Sequence, residues 1–331
     1  MTALLMRITF LGTAAARPTV WRGVSGTALR LGGQSVLVDT GENTQRQMLR
    51  YGVGLSADLV CFTHFHGDHW LGLEPWMRSL RLMGATRPMT LCGPAERIHQ
   101  TAGAVVQRMI NKTTYPIEVL GVGDGDRIER QGWSVTAVRV EHSVPAMGWV
   151  FEEPTRAGRF HVDKAQALGL KSGPDYGRLQ RGEAVTGPKG QVIEPSDVLG
   201  PSRPGRRIVF SGDTRPCQAV INAARGAEVL VHEGTFGEEH ADRALQTTHS
   251  TAREAGWVAA QAGVKHLVIN HLSARYDNEP NLLRDEAATE YKGPILIAED
   301  GMSLELHADG ALSIEHPGEF AQHRGRIGSS S

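Results

Sequence analysis

Apolar and polar residues alternate over RITFLG at residues 7–12 and again over TALRLGGQSVLVDTG, where Gly32 and Gly33 interrupt the alternation and predict a hairpin. Asn43 or Thr44 is placed to cap a short helix, TQRQMLRYG, that stops at Gly52. The strand LVCFT then runs through the loop FHGD into a helix over WLGLEPWMRSLRLMG. MTLCGP reads as a strand, AERIHQTAGAVVQRMI as a helix with apolar spacing, and WSVTAVRV as a half-buried strand. Further on come the strands RRIVFSGDT and AEVLVHEGTF, the helix TAREAGWVAAQAG and the strand KHLVINHL. A charged helix around EPNLLRDEAATEY and two closing strands, ILIAED and SLELHAD, complete the pattern. Strands and helices in such alternation predict an α/β fold.

The pattern breaks once, from about Glu152 to Arg207, where Gly, Pro and charged residues crowd together around GPDYGRLQRGEAVTGPKG. This stretch reads as an inserted arm or extended loop at about 152–205 rather than as core. The remainder of residues 1–316 reads as one domain, and the tail 317–331, PGEFAQHRGRIGSSS, is expected to be poorly ordered.

Composition narrows the field only slightly. A chain of 331 residues, 40% of them hydrophobic, buries a substantial core. The formal charge of -1 excludes a general polycation, so any nucleic-acid contact must come from local patches. Cys61, Cys92 and Cys217 form neither a CxxC pair nor an even framework, which predicts reduced thiols and a reducing, cytoplasmic setting. MTALLMRITF lacks the build of a signal peptide, and no apolar run approaches the roughly 20 residues of a membrane helix.

Chemistry concentrates in THFHGDHWLGL, which puts His64, His66, Asp68 and His69 into six consecutive positions. Imidazole and carboxylate are suitable zinc donors, and a closed site needs only three or four of them. Further donors stand directly after strand patterns: His142 after VTAVRVE, Asp213 after IVFSG and His271 after LVIN. Any one of these histidines alone is more often a satisfied core residue, but their recurrence at strand ends places them together, because functional groups gather on loops at one edge of a rigid sheet. Seven donors exceed one zinc and suit two. A carboxylate has two oxygens and can bridge, so Asp213 is the expected bridge. Such a pair of ions points to metal-assisted hydrolysis.

HFHGDH with the later single His, the GD and the NH loops resembles the metallo-β-lactamase superfamily, and most closely its RNase Z branch, the tRNA 3′-processing endoribonucleases in their short bacterial form. VLVDTGENTQRQMLR, VEHSVPAMGWVFEE, FSGDT, HEGTF, HSTAREA and NHLSARY carry the likeness over about residues 7–305. The resemblance implies an αββα sandwich of two mixed sheets flanked by helices, two zinc ions per subunit, a homodimer and precursor tRNA as substrate. It also implies one zinc on His64, His66 and His142 and a second on Asp68, His69 and His271, with Asp213 between them and Asp68 orienting or deprotonating the water. One departure is Gly234, where the family often has Ala; the smaller residue should be tolerated.

In TTHSTAREA, Thr251 and Glu254 form a capping box that starts a helix at Thr251. His249 lies just outside that start, where free amides would favour an anion. His249, oriented by Glu233, is therefore expected to stabilise the transition state or to protonate the leaving 3′ oxygen. In the arm, residues 156–191 carry Arg156, Arg159, Lys164, Lys171, Arg178, Arg181 and Lys189 against Asp163, Asp175 and Glu183, a balance suited to a phosphate backbone. The competing expectations are a hydrolase of small phosphodiesters or esters, which needs no arm, and a metal-stabilised RNA-binding protein, which has no use for Asp68, Glu233 and His249 together.

Overall fold

The computed structural model describes residues 5–109 and 113–317. The sequence expectation for the tail falls almost wholly outside these residues. The chain divides into two compact units, one of Met1–Phe151 with Arg207–Ser331 and one of Glu152–Arg206.

The larger unit is built on two mixed sheets. The first has eight strands in the order Leu312–Glu315, Ser303–Leu306, Met6–Gly12, Gly26–Leu31, Gln34–Val38, Leu59–Cys61, Met89–Pro94 and Ile117–Val122. The second has seven: Ile295–Ile297, His266–Asn270, Val229–Glu233, Arg207–Phe210, Met147–Glu152, Trp133–Arg139 and Arg127–Arg130. The alternation seen in sequence sorts each strand's side chains between two layers. Met6, Ile8 and Phe10 of the first sheet share a core with Trp133, Val135, Trp149, Phe151, Ile208 and Phe210 of the second. The opposite faces pack against helices: Leu37, Val60 and Leu91 against Trp76 and Met77 of the helix Leu73–Leu82, and Val209, Leu230 and Ile269 against Val258 and Ala259 of the helix Ala252–Ala262. Two mixed sheets face to face with helices on their outer faces make an αββα sandwich, in the α/β class, as expected.

The hairpin at Gly32 forms, with Gly32 at φ 59° and Leu31 paired to Gln34. The short helix Thr44–Arg50 forms without a side-chain cap, since Asn43 takes a left-handed conformation and the Thr44 hydroxyl donates to the Gly41 carbonyl instead. The helix expected over AERIHQTAGAVVQRMI is regular only from Ala102; before it, the Gly103 amide reaches back to the Ile98 carbonyl, five residues away, and breaks the helical register.

The second unit, expected from its composition as an inserted arm or an extended loop, is folded locally. It contains the helices Val162–Ala167, Pro174–Gln180 and Pro195–Val198 and a two-stranded ladder of Val185–Thr186 with Val192–Ile193. Ala165, Leu170, Leu179, Val185, Ile193 and Val198 form its own small core. Glu153 accepts two hydrogen bonds from the buried Arg206 guanidinium, at 2.8 and 2.6 Å, and closes the unit where it begins and ends.

Candidate metal centre

His64 and His66 follow the strand Leu59–Cys61, Asp68 and His69 lie on the short helix Gly67–Trp70 that comes next, His142, Asp213 and His271 follow strands of the second sheet, and the seven come together. The inward nitrogens of His64, His66 and His142 form one group: His66 Nδ1 lies 3.0 Å from His64 Nε2 and 3.2 Å from His142 Nε2. Asp68, His69 and His271 form a second: His271 Nε2 lies 3.2 Å from His69 Nε2 and 3.4 Å from Asp68 Oδ2. Asp213 Oδ2 sits among both, 3.6 Å from His64 Nε2, 3.2 Å from His69 Nε2 and 3.4 Å from His271 Nε2.

The outward nitrogens are fixed by groups that sequence reasoning did not single out. Asp39 accepts from His69 Nδ1 at 2.8 Å and is itself held by the Thr63 amide and hydroxyl, both at 2.8 Å. The Thr248 carbonyl is 2.9 Å from His142 Nδ1, and the Thr235 hydroxyl is 3.0 Å from His271 Nδ1 while donating to Glu233 Oε2 at 2.6 Å. Such partners fix ring orientation and tautomer, leaving the inward nitrogen lone pair for a metal. Asp39 carried a usable signal, since it follows the strand Gln34–Val38 just as the donors follow theirs. Thr235 and Thr248 carried none.

Backbone strain collects at the same place. Among the described residues, Ala16, Asp39, Asn43, Thr248 and His271 are the non-glycines with positive φ. All but Asn43 serve this centre, Ala16 by donating its amide to Asp68 Oδ2 at 2.8 Å. Left-handed conformations cost roughly 1–2 kcal/mol at a non-glycine residue and persist only where their surroundings enforce them.

Electrostatics test whether a cation fits. Burial, reinforced by neighbouring imidazoles, holds His64 well below the ordinary histidine value, and burial likewise lowers His66 and His142. Three bases face one another there. In the second group burial disfavours the charged forms, yet Asp213, Asp39 and Asp68 together hold His69 well above its usual value. Against the same burial, the imidazoles of His271 and His69 push Asp213 well below the carboxylate range, and those of His69 and His271 lower Asp68. A lone-pair cradle beside a carboxylate-rich one is a donor set that fits divalent metal cations with nitrogen and oxygen preference.

His249 and Glu233 lie beside this set. His249 Nδ1 is 2.8 Å from Glu233 Oε1, and although burial opposes it, that carboxylate raises the imidazole to about 9. Thr251 does start the helix Ala252–Ala262 with a capping box, but the box answers the amides expected to attract an anion: the Glu254 amide donates to Thr251 Oγ1 and the Thr251 amide to Glu254 Oε2. The Ala252 amide goes to the Phe236 carbonyl. Charge at this position therefore comes from the His249 side chain rather than from the helix end. The centre opens into a cleft of about 450 Å³, with Asp68, Asp213, His249, Arg243 and Arg275 on its walls.

The amino-acid sequence matches the metallo-β-lactamase superfamily over residues 19–154. It is 48% identical to ribonuclease Z of Myxococcus xanthus over 305 residues, covering 91% of this chain and 98% of that one. Among solved structures it is similar to a metallo-β-lactamase fold protein of Bacillus subtilis, with a TM-score of 0.66 and 19% identity over 92% of this chain and 100% of the other. It is also similar to the short form of human tRNase Z, with a TM-score of 0.60 and 23% identity over 90% and 98%.

Proposed function

Since the chain belongs to the ribonuclease Z family within the metallo-β-lactamase superfamily, we propose that it is a zinc-dependent endoribonuclease that removes the 3′ trailer of precursor tRNA. Cleavage falls near the discriminator nucleotide and leaves a 3′ hydroxyl on the tRNA. The observation that carries this reading is the pair of donor groups sharing Asp213 Oδ2, with the His249–Glu233 pair beside them.

In this reading His64, His66 and His142 would hold one zinc ion and Asp68, His69 and His271 the other, with Asp213, which lies among both groups, available to each. When bound, two such ions polarise a phosphoryl oxygen and make water acidic enough to ionise near neutral pH. Asp68, steadied by the Ala16 amide, orients the attacking water and accepts a proton from it. The water oxygen bonds to phosphorus as the bond from phosphorus to the 3′ oxygen breaks. His249, whose Nδ1 is engaged by Glu233, presents Nε2 to the leaving group and donates the proton that the 3′ oxygen needs.

The Glu152–Arg206 unit supplies grip on the RNA. Arg178 and Arg181 are both engaged by Glu183, so Arg159, Lys164, Lys171 and Lys189, exposed and without ion pairs among the described residues, carry most of its available charge. Arg156 lies nearer the base of the unit, paired through its backbone with Arg203. We place the enzyme in the cytoplasm as a homodimer; no described helix is long and apolar enough to cross a membrane.

The test is to incubate the purified protein with a 3′-extended precursor tRNA, with and without chelator, and to map both new ends. Chelator-sensitive cleavage beside the discriminator with a 3′ hydroxyl is expected. Hydrolysis of small phosphodiesters with the precursor left intact would favour the alternative, a hydrolase of small phosphodiesters or esters.

A further inference from the structure

The chain between Thr13 and Val24 leaves the first sheet, passes the metal centre and returns, and it is held unusually firmly for an exposed loop. Its ends meet where the Ala14 amide donates to the Gly23 carbonyl, and the Ala15 amide donates to Leu272, the neighbour of His271. The Arg22 guanidinium is buried and donates to the Thr13 hydroxyl at 2.6 Å and the Ala298 carbonyl at 2.5 Å, with Asp277 3.5 Å from its Nε. Asp300 takes the Gly23 amide at 2.6 Å. At the tip, the Thr19 hydroxyl accepts the amides of Trp21 and Arg22.

This rigid frame holds two large apolar side chains in solvent. Val20 is 89% exposed and Trp21 73%. No packing explains an indole there, and an ordered loop that presents one in water is built to receive a flat partner.

What runs beside the loop identifies that partner. A second cavity of about 400 Å³ lies between Ala15–Arg17 and Ser273–Arg275 and shares Ala15, Ala16, Ser273 and Arg275 with the metal cleft, so the two form one continuous groove. Arg17 and Arg275 stand along it and Arg243 lines the cleft, none of them in an ion pair among the described residues. Outside the metal donors, Glu42 is the only carboxylate on the walls of either cavity among the described residues. Guanidiniums without ion pairs along a groove, and an exposed indole on the same loop whose Ala15, Ala16, Arg17 and Pro18 line it, are the two kinds of part from which single-stranded nucleic-acid sites are made.

We propose that this groove binds the single-stranded 3′ trailer of the RNA, with its phosphates on Arg17 and Arg275 and one base stacked on Trp21. The proposal rests on the nuclease reading and adds to it a dependence on trailer length. A trailer of one nucleotide ends before it reaches Trp21, whereas a longer one gains the stack and binds more tightly.

Two measurements on the full-length, zinc-loaded protein test it. In the first, precursors carrying a one-nucleotide or a longer trailer are cleaved by the wild type, Trp21→Ala and Trp21→Phe. Trp21→Ala should raise KM for the longer trailer by about tenfold, the order lost with one base–aromatic stack, and leave the short-trailer KM and both kcat values unchanged. Trp21→Phe should restore most of the loss. In the second, fluorescence anisotropy follows a labelled single-stranded oligoribonucleotide without cleavage, and Trp21→Ala should weaken its binding by a similar factor. A long-trailer KM that is unchanged in Trp21→Ala overturns the proposal. So does loss of activity on every substrate, which marks a structural loop, and so does dissociation of an oligomer, which marks Trp21 as a protein contact. If the wild type cuts no precursor tRNA yet Trp21→Ala loses oligonucleotide binding, the groove stands and the processing function falls.

Discussion

At the scale of single residues, the centre depends on groups that never face a metal. Asp39 is buried, and burial raises its carboxyl above the usual value even as His69 and Thr63 hold it in place. Asp39→Ala frees His69 to rotate, and metal affinity should fall by about 10–100-fold with the fold intact, read by competition with a chromogenic chelator and by circular dichroism. His249→Ala should behave in the opposite way, keeping its zinc while kcat drops by roughly 10²–10⁴; zinc loss in that variant would make His249 structural. Gly234 shows how a departure from a family pattern is absorbed. A Cβ there would lie 2.5 Å from Ile269 Cγ2, the branch methyl of a neighbouring strand residue, so Ile269 fills the space that Ala would occupy. Gly234→Ala should therefore cost about 1–3 kcal/mol, and pairing it with Ile269→Leu, which lacks that methyl, should recover most of the loss in a double-mutant denaturation cycle.

At the scale of elements, what could be read from sequence was what periodicity and position encode. The strand Met6–Gly12 and the hairpin after it announce themselves because one face of each meets the inter-sheet core and the other a helix layer. The seven donors were legible because His64, His66, Asp68 and His69 crowd into one segment after the strand Leu59–Cys61 and His142, Asp213 and His271 each follow a strand. Met147–Glu152 was not read as a strand: MGWVFE has no polar residue before Glu152, so unlike MRITFLG it shows no alternation. The edge strand Arg127–Arg130 hides for the opposite reason, being half or fully exposed throughout. In the Glu152–Arg206 unit, six buried aliphatic side chains scattered among Gly, Pro and charges are too few to leave a periodic trace, yet they suffice for a local core. That unit connects Met147–Glu152 to Arg207–Phe210, which are neighbours in the sheet, so a short linker can replace it. Substituting a Gly/Ser linker for residues 154–205 should spare cleavage of a small phosphodiester while abolishing precursor-tRNA cleavage, and equal loss of both would deny the unit a role in RNA binding.

At the scale of the whole molecule, buried charge makes stability depend on pH away from the metal. Burial raises Asp300 to about 6, although the Gly23 amide, the Thr13 hydroxyl and Arg22 all oppose the shift. A carboxyl with a raised folded-state pKa contributes stability that is full below its unfolded value near 4 and is lost as pH rises through about 6. Relative to Asp300→Asn, the wild type should therefore lose on the order of 2–3 kcal/mol between about pH 4 and pH 7, measured as the difference between their denaturant midpoints.

The donors also span the chain in a telling order. His64 to His69 belong to the first sheet, His142, Asp213 and His271 follow the second, and the first sheet is completed only when Ser303–Leu306 pairs with Met6–Gly12. During synthesis the first four donors emerge long before the last, so a nascent chain can offer only partial, weak sites. Tight metal capture by the proposed donors would therefore require both sheets to have assembled, and a copy that fails to bring His142, Asp213 and His271 to His64–His69 would gain no such stabilisation.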